Sequence, residues 1–383
     1  MQKQDKTFIY LDHNATTPID PAAVEVMTRC IRDEFGNPSS AYPLGLRAKE
    51  IVDTARQDVA SLIGCKRSEV VFTSGGSESN NMALKGLIDL REPSKYHIIT
   101  SAVEHPSVLN PSLYLMELGV GVTILPVDCY GRVSPDDVEK AITPETCLVS
   151  IMLANNETGT LNPVKEISRI TRRYNVPFHT DAAQAIGKIA VNVKELGVDL
   201  LSIAGHKLYG PKGVGALFIR EGLTLTPLIH GAGQEFGKRA GTENVILTAG
   251  LGAACGVAKQ RLQQDIAAIK ALRDRLQELL FKDIKGIILN GHPEERLPNT
   301  LNISVPNIEG ARILEGLPSL AASTGAACHD RSVRLSHVLS AMNVPPEVGI
   351  GALRLSLGRE NDIHQIDEAA RILIDRIMEL RGE

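Results

Sequence analysis

Short apolar runs alternate with helical periodicities along most of the chain. The runs typical of buried strands lie at residues 70–72, 97–100, 122–127, 148–153, 176–180, 200–204 and 215–219. Helical spacing of apolar residues falls before or between them, at 21–31, 46–63, 82–90, 107–118, 135–141 and 164–174. Strands that alternate with helices in this way predict an α/β fold with a mostly parallel sheet flanked by helices.

A long helical pattern follows at residues 249–280, in which charged residues alternate with leucine, isoleucine and alanine. Such a helix is typical of a crossing between domains, and we place a boundary near residue 258. Strand patterns at 286–289, 300–305 and 353–357, followed by a helix at 363–380, predict a smaller α+β domain. We expect residues 16–258 to form the large domain, and residues 1–15 and 259–383 to form the small one.

The composition is that of an ordinary globular protein and argues against two classes of partner. Of the 383 residues, 43% are hydrophobic and 22% are charged, and the net charge is -4. This charge and the lack of a basic stripe argue against nucleic acid. No leader opens the chain and no apolar run approaches the roughly 20 residues that span a bilayer, so we expect a cytoplasmic protein without membrane contact.

Polar side chains follow four of the predicted strands at the point where each strand ends. They are Glu104 and His105, then Asn155, Asn156 and Glu157, then Asp181 and Gln184, and finally His206 and Lys207. Because ligands of open α/β sheets collect beyond the carboxyl ends of the strands, we expect these side chains to line one site.

Lys207 stands between the apolar run 200–204 and a turn that Gly210, Pro211 and Gly213 impose. A lysine in such a partly dry place has a lowered pKa, and its neutral amine can attack a carbonyl to form a Schiff base. Taken alone, the residue is better explained as an ordinary solvated lysine, since most lysines are exposed.

The segment 73–81 (TSGGSESNN) lies between a predicted strand and a predicted helix. Small residues at a helix start leave backbone N–H groups free at the positive end of the helix dipole, which is an arrangement that binds phosphate. The spacing matches neither the dinucleotide fingerprint nor the P-loop, so a simple capped helix explains the segment equally well.

A Schiff-base lysine, a phosphate turn and a carboxylate for a pyridine nitrogen together meet the requirements of pyridoxal 5'-phosphate. Here the chain resembles the NifS/IscS family of cysteine desulfurases, which are class V, fold-type I enzymes that use this cofactor. The motifs that carry the resemblance follow the family order at residues 10–17 (YLDHNATT), 36–40 (GNPSS), 73–79 (TSGGSES), 104–105 (EH), 155–157 (NNE), 179–184 (HTDAAQ), 205–207 (GHK) and 353–358 (LRLSLG). The resemblance implies an enzyme that converts L-cysteine to L-alanine.

The resemblance also implies a role for each matching residue. Lys207 would carry the cofactor and move protons, and His105 would stack on the pyridine ring and assist proton transfer. The other cofactor contacts would come from Gly76, Ser77 and His206 at the phosphate, Asp181 at the pyridine nitrogen, Gln184 at the phenolic oxygen, Asn156, and Thr242 from the second subunit of a homodimer. Asn156 and Arg354 would hold the substrate carboxylate, the arginine as a bidentate fork.

Small residues precede one cysteine in the run 323–329 (STGAACH), which matches the catalytic-cysteine loop of the family. Within this loop, at about 321–334, Cys328 would receive sulfur as a persulfide and pass it to an acceptor protein. The other five cysteines match nothing catalytic, and their scatter without C-x-x-C pairs favours free thiols in a reducing compartment. No metal site is predicted.

Other reactions of the same fold remain as alternatives. Selenocysteine lyase is the first, with L-selenocysteine as substrate, because residues 239–244 (RAGTEN) and 325–329 (GAACH) resemble that branch. Pro106 stands where those lyases carry an acidic residue, which favours L-cysteine. An aminotransferase or kynureninase-like enzyme is the second, and Cys328 would be idle in it.

The family resemblance suggests iron–sulfur cluster assembly, but IscS-type chains continue into a scaffold-docking tail, whereas this sequence stops at Glu383.

Overall fold

The computed structural model describes residues 8–324 and 335–382. The helices are α1 (Pro21–Asp33), α2 (Pro43–Ile63), α3 (Gly76–Lys85), α4 (Pro106–Glu117), α5 (Pro135–Ala141), α6 (Val164–Arg173), α7 (Val193–Leu196), α8 (Val245–Asp283), α9 (Gly310–Leu314), α10 (His337–Ala341), α11 (Pro346–Gly349) and α12 (Ile363–Arg381). The strands are β1 (Ile9–Tyr10), β2 (Val70–Thr73), β3 (His97–Ser101), β4 (Gly121–Leu125), β5 (Thr146–Ser150), β6 (Phe178–Asp181), β7 (Leu200–Ala204), β8 (Gly215–Ile219), β9 (Ile288–Leu289), β10 (Thr300–Ser304), β11 (Leu320–Ala321) and β12 (Ala352–Ser356).

The main sheet has the strand order β2-β8-β7-β6-β5-β3-β4. Strand β8 runs antiparallel to both of its neighbours, and the other adjacent pairs are parallel. Every residue of β2, β7 and β8 is buried, whereas the edge strand β4 is largely exposed. Near-continuous apolar runs are typical of strands covered on both faces. The prediction of an α/β fold with a mostly parallel sheet is confirmed.

A smaller set of strands lies outside the main sheet. Strands β12, β10 and β9 form an antiparallel sheet in that order, and β1 pairs in parallel with β11. The apolar side chains of Ile9 and Leu11 pack in the same core as those of Leu301, Leu355 and α12. The extreme N-terminal residues that the structure describes therefore pack with elements from the other end of the chain.

Helix α8 runs unbroken over 39 residues and contributes to two separate cores. Leu251, Ala254 and Ala258 pack in the core under the main sheet, and Leu276 and Leu280 pack in the core of the smaller sheet. The domain boundary at residue 258 stays a prediction, and it falls inside this continuous helix.

Several predicted elements are displaced along the chain, such as the strand predicted at 148–153, which is β5 at Thr146–Ser150, and two displacements have a clear physical reason. The helix predicted at 82–90 is wrong in position, because α3 already begins at Gly76 and ends at Lys85. Its first turns carry polar residues without an apolar period, and Glu78 accepts a hydrogen bond from the backbone N of Ser74 at 2.7 Å. Strand β6 begins at Phe178, two residues later than predicted, since Pro177 has no N–H for a sheet.

Two kinds of feature are absent from the described ranges, 8–324 and 335–382. No helix there has the length and apolar character to cross a membrane. No group of three or more histidine, cysteine, aspartate or glutamate side chains there is arranged to hold a metal ion.

Candidate active site

The amine of Lys207 lies just beyond the carboxyl end of β7, in a single 3-10 turn at Gly205–Lys207. Its Nζ donates hydrogen bonds to the backbone carbonyl oxygens of Asn14 at 2.6 Å and Ala15 at 2.7 Å. Burial, followed by the positive charge of Arg354, lowers the pKa of Lys207 to about 8, although Asp12 and Asp181 oppose the shift. A lysine with this pKa has an appreciable neutral fraction near physiological pH.

His206 occupies the preceding position and faces the N-terminal segment. Its backbone oxygen accepts a hydrogen bond from Thr17 Oγ1 at 3.0 Å, and its Nδ1 lies 3.2 Å from Thr16 Oγ1. Burial, followed by the charges of Lys207 and other lysines, lowers the pKa of His206 to about 4. The ring is therefore neutral at physiological pH and carries one N–H donor.

The start of α3 packs closely against the ends of β7 and β8. A Cβ atom added at Gly76 would lie 3.3 Å from Ala204 Cβ, and one added at Gly215 would lie 2.8 Å from Gly75 Cα. Ser77 is exposed in the first turn of the helix. The first N–H groups of a helix have no intrahelical acceptor, so this turn offers donors beside Lys207 that glycine leaves accessible.

Asp181 ends β6 and is buried, and its carboxylate has two donors. Its Oδ1 accepts a hydrogen bond from the backbone N of Ala183 at 2.9 Å, and its Oδ2 accepts one from Asn80 Nδ2 at 2.7 Å. Asn80 Nδ2 also donates to Ser107 Oγ at 2.8 Å. Ser107 Oγ in turn lies 2.8 Å from Nδ1 of His105, which is the exposed N-cap residue of α4.

Gln184 is fixed by Lys188, which follows it by four residues in a turn region. Its Oε1 accepts a hydrogen bond from Lys188 Nζ at 2.6 Å, and its Nε2 donates to the carbonyl oxygen of Asn14 at 2.9 Å. Burial, followed by the charges of Lys207 and Arg354, lowers the pKa of Lys188 well below its ordinary value. The lysine therefore determines which end of the amide faces Asn14.

Asn14 is the residue on which these contacts converge. Its Oδ1 accepts hydrogen bonds from Lys188 Nζ at 2.9 Å and Asn299 Nδ2 at 3.0 Å. Its Nδ2 donates to Thr300 Oγ1 at 2.9 Å and to the carbonyl oxygen of Asn156 at 3.3 Å. Through Asn14, strand β10 of the smaller sheet is connected to Lys207 and Gln184, which lie beyond the carboxyl ends of strands of the main sheet.

Arg354 lies in β12 and points toward the same place. Its Nη1 donates to the carbonyl oxygen of Asn156 at 3.1 Å, and its Nη2 donates to Asp12 Oδ1 at 2.9 Å. Arg354 Nε and Asn156 Oδ1 are buried and have no partner within residues 8–324 and 335–382. Buried polar atoms are normally hydrogen-bonded, so this pair is suited to a polar ligand.

Cys328 lies outside the described residues, but the chain on either side of residues 325–334 is attached to the site. On the N-terminal side, the backbone N of Ser323 donates to the carbonyl oxygen of Arg354 at 3.2 Å. On the C-terminal side, Ser336 Oγ donates to Glu157 Oε2, and His337 Nε2 lies 2.9 Å from the carbonyl oxygen of Glu104. Burial raises the pKa of Glu157.

The cysteines that the structure describes differ in exposure. Burial raises the pKa of Cys65 to about 12 and that of Cys147 to about 11, and it also raises the pKa of Cys30 and Cys255. Thiols with raised pKa values are poor nucleophiles. Cys129 is exposed.

The predicted site residues thus fall into three groups. Lys207, Gln184, Asn156 and Arg354 converge around Asn14, and His105 is connected to Asp181 through Ser107 and Asn80. Gly76, Ser77 and His206 lie at the neighbouring ends of α3 and β7. Thr242 is exposed, and its predicted reach into a second subunit stays a prediction.

Five residues that orient the others were not predicted as site residues. These are Asp12, Asn14, Asn80, Ser107 and Lys188. Asp12 and Asn14 lie in the motif at 10–17, but nothing in that motif assigns them contacts. Lys188 follows Gln184 by four residues, but this segment is a series of turns and not a helix, so the spacing alone does not predict their contact.

The residues present fit pyridoxal phosphate. The amine of Lys207 has a lowered pKa, which suits a bond to an aldehyde. The glycine-lined start of α3 leaves backbone donors accessible to a phosphate, and a buried carboxylate suits a protonated pyridine nitrogen. Arg354 Nε is a buried cationic donor that has no partner among the described residues, and it matches an amino acid carboxylate.

Comparison with known proteins agrees with this fit. The chain matches the family described as aminotransferase class-V over residues 9–368. It is 47% identical over 374 residues to the cysteine desulfurase IscS of Dictyoglomus turgidum, a match that covers 96% of this chain and 95% of the relative. It is 46% identical to the cysteine desulfurase IscS of Methanosarcina thermophila, with 98% and 93% covered.

Solved structures show the same likeness. A NifS-like protein superposes with a TM-score of 0.89 at 38% identity, and the match covers 98% of this chain and 99% of that one. SspA in complex with cysteine superposes with a TM-score of 0.81 at 35% identity, with 91% and 99% covered. The chain therefore belongs to the class-V aminotransferases that depend on pyridoxal phosphate, and within them to the cysteine desulfurases.

Proposed function

We propose that the chain converts L-cysteine to L-alanine and takes up the sulfur as a persulfide on Cys328. The observation that carries the proposal is the amine of Lys207, which has a pKa near 8 and lies beside the buried Arg354 and Asn156. These three residues provide a reactive amine and a place for an amino acid carboxylate at one strand end.

The bound cofactor would supply an electron sink for the substrate carbon. Its phosphate would be held by Gly76, Ser77 and His206, and its ring by Asp181 and Gln184. Thr242 of a second copy would complete the phosphate contacts. Lys188 supports Gln184 in this role, because its hydrogen bond to Oε1 leaves Nε2 as the donor that faces the site.

Lys207 would move the proton of the substrate Cα. A pKa lowered from 10.5 to about 8 raises the neutral fraction of the amine at pH 7 by roughly 300-fold. The carbonyl oxygens of Asn14 and Ala15 hold the amine when it is not engaged elsewhere. The same Nζ can therefore accept the proton and return it without leaving the site.

Arg354 and Asn156 would orient the substrate. The guanidinium already contacts Asp12 and the carbonyl oxygen of Asn156, and its Nε, which no other residue in 8–324 or 335–382 engages, can donate to a carboxylate. Asn156 can turn its side-chain amide toward the same carboxylate, since its Oδ1 has no partner among the described residues. Fixing the carboxylate also fixes the direction of the Cα–H bond.

Cys328 would take the sulfur. Its thiolate attacks the substrate sulfur, so an S–S bond forms while the C–S bond breaks. The electron pair of the broken bond stays on the substrate carbon, which takes a proton to give alanine. An acceptor protein then receives the sulfur from the persulfide.

A homodimer in the cytoplasm is the setting that we propose. Apolar side chains of α1, α2 and the loop between them are exposed in the single chain, and they are Val24, Ile31, Phe35, Tyr42 and Leu46. An exposed apolar surface of this kind is typical of an interface. Light scattering would then give about twice the chain mass of 41.3 kDa, and a monomer mass would contradict the proposal.

The function is tested by the products. Wild-type enzyme loaded with cofactor should release alanine from L-cysteine, and a thiol-exchange label should detect a persulfide at Cys328 by peptide mapping. Cys328→Ser should form neither product, whereas Cys129→Ser, which removes an exposed thiol, should form both. Release of a keto acid, or turnover of L-selenocysteine but not of L-cysteine, would contradict the proposal.

A further inference from the structure

Both the backbone of His105 and one of its ring nitrogens take part in the hydrogen bonds that start helix α4. As the N-cap residue of α4, it accepts a hydrogen bond at Nδ1 from the backbone N–H of Ser107 at 3.1 Å. A backbone N–H can only donate, so Nδ1 presents its lone pair there and carries no proton. The proton of the neutral ring must then be on Nε2.

The hydroxyl of Ser107 can donate to the same ring nitrogen. Asn80 Nδ2 donates to Asp181 Oδ2 at 2.7 Å and to Ser107 Oγ at 2.8 Å. The carboxylate accepts, so it fixes the amide with its NH₂ group toward both partners. Ser107 Oγ receives a hydrogen from Asn80, and its own hydrogen is free to donate to His105 Nδ1 at 2.8 Å.

We propose that Ser107 is a positioning residue that holds His105 as the neutral ring with its proton on Nε2. His105 then serves as a hydrogen-bond donor toward the reacting groups, and Lys207 alone moves the Cα proton. This role deepens the proposed function and rests on it for the identity of those reacting groups. Protonation of Nδ1 would place its N–H against the backbone N–H of Ser107, so that this hydrogen bond is lost and the Ser107 hydroxyl must turn from donor to acceptor, which disfavours the cationic ring.

The charges around the ring agree with this geometry. Partial burial is the largest cause that lowers the pKa of His105, and Lys207 and His337 lower it further. Asp181 opposes them by favouring the cation. These groups face the ring from the ends of β6 and β7 and from α10, and the surroundings as a whole favour the neutral form.

The tautomer can be observed directly. Two-bond ¹H–¹⁵N spectra of cofactor-loaded enzyme with labelled histidine distinguish the three ring states, and His105→Gln assigns the signal among the 10 histidines. In wild type we expect the Nε2–H pattern down to a pH below the ordinary histidine pKa of about 6.5. An Nδ1–H pattern in wild type overturns the proposal without the need for any variant.

Variants of Ser107 test its part. Ser107→Ala removes one of the two donors to Nδ1, so the pKa of His105 should shift upward and the Nε2–H preference should weaken. Ser107→Thr keeps the hydroxyl and should restore both. Ser112→Ala is the matched control, because Ser112 is in the same helix and donates to the Val108 carbonyl at 2.8 Å, away from the ring. An unchanged His105 in Ser107→Ala overturns the proposal.

The pH profile provides a second readout. The neutral ring is the active form, so kcat/KM falls as pH falls through the pKa of His105, and this acid limb should move to higher pH in Ser107→Ala. An acid limb that stays in place contradicts the proposal. Enzyme that shows the Nε2–H pattern but yields no alanine would contradict the proposed function and leave the tautomer assignment intact.

Discussion

Arg354 Nη2 lies 2.9 Å from Asp12 Oδ1, so the guanidinium has a carboxylate partner of its own before any substrate is present. Asp12 comes from the N-terminal segment and Arg354 from β12. The ion pair is largely buried, with side-chain exposures of 7% for the arginine and 20% for the aspartate. Asp12 therefore fixes the orientation of the Arg354 guanidinium. Nε, which has no partner among the described residues, is then the atom that we expect to bind the substrate carboxylate.

Replacing Arg354 by lysine keeps the charge but removes the planar fork, so the substrate carboxylate loses a charge-assisted hydrogen bond. We expect KM for L-cysteine to rise by about 10-fold or more. Steady-state kinetics measure this. Arg275→Lys is a matched control, because Arg275 forms a similar fork to Asp367 on the surface. Equal KM values for wild type and Arg354→Lys would argue against the assignment.

Lys207→Ala should abolish alanine formation and the visible absorbance of the bound cofactor, because the neighbouring amine of Lys188 is engaged in hydrogen bonds to Gln184 and Asn14. Borohydride reduction of wild type followed by peptide mapping should place the cofactor on Lys207. Lys212→Ala, which changes an exposed lysine of the following turn, should keep both properties. Recovery of the cofactor on any other lysine would refute the assignment.

Glu104 makes the stability depend on pH. The side chain is fully buried, and burial raises its pKa to about 8, although Ser101 Oγ and the backbone N of Met152 donate to Oε1. A glutamate in the unfolded chain has a pKa of about 4.3. Between these values the folded state holds a proton that the unfolded state has lost, so the stability contributed by this group falls as pH rises toward 8.

Glu104→Gln stays neutral at every pH and keeps an acceptor at Oε1. We expect the variant to be more stable than wild type at pH 8.5, with a difference that shrinks as pH falls toward 4.5. Urea unfolding at several pH values measures this. Glu117→Gln, which replaces an exposed carboxylate at the end of α4, should show no such trend. A difference that does not vary with pH would mean that Glu104 is ionised in the folded protein.

Asn14→Ala should lower the free energy of unfolding by about 2–4 kcal/mol, because it leaves the amine of Lys188 and the amide of Asn299 without their shared acceptor. Urea unfolding gives the difference. Asn37→Ala removes one exposed hydrogen bond to Ser39 and should cost less than about 1 kcal/mol. Similar losses for the two variants would show that Asn14 is not the central contact.

Local pattern was enough to predict the sheet. Strands β7 and β8 begin and end as predicted, because each is a short and mostly apolar run with glycine at one end, Gly205 after β7 and Gly215 at the start of β8. Lys207 and Asp181 were recognisable as candidate site residues since each lies just beyond the end of a predicted strand. The helix predicted at 82–90 was wrong in position for the opposite reason. The first turns of α3 consist of polar residues, so no apolar periodicity marks where the helix begins.

The residues that orient the site could not be predicted in this way. Asn14 contacts Gln184, Asn299 and Thr300, which lie far away along the chain. Contacts of this kind leave no periodicity in a sequence, because they depend on how separate sheets are brought together. Ser107 and Asn80 are short polar residues near helix starts, where capping alone would explain them.

The pairing of Ile9 with Leu320 has a consequence for biosynthesis. A ribosome adds about 5–20 residues per second, so the N-terminal strand waits roughly 15–60 s before its partner emerges. Until then the pairing of β1 with β11 cannot help to hold Asn14 and Ala15 where their carbonyl groups contact Lys207. Cofactor capture therefore follows completion of the chain, and ribosome-bound chains that end before residue 320 should not retain pyridoxal phosphate.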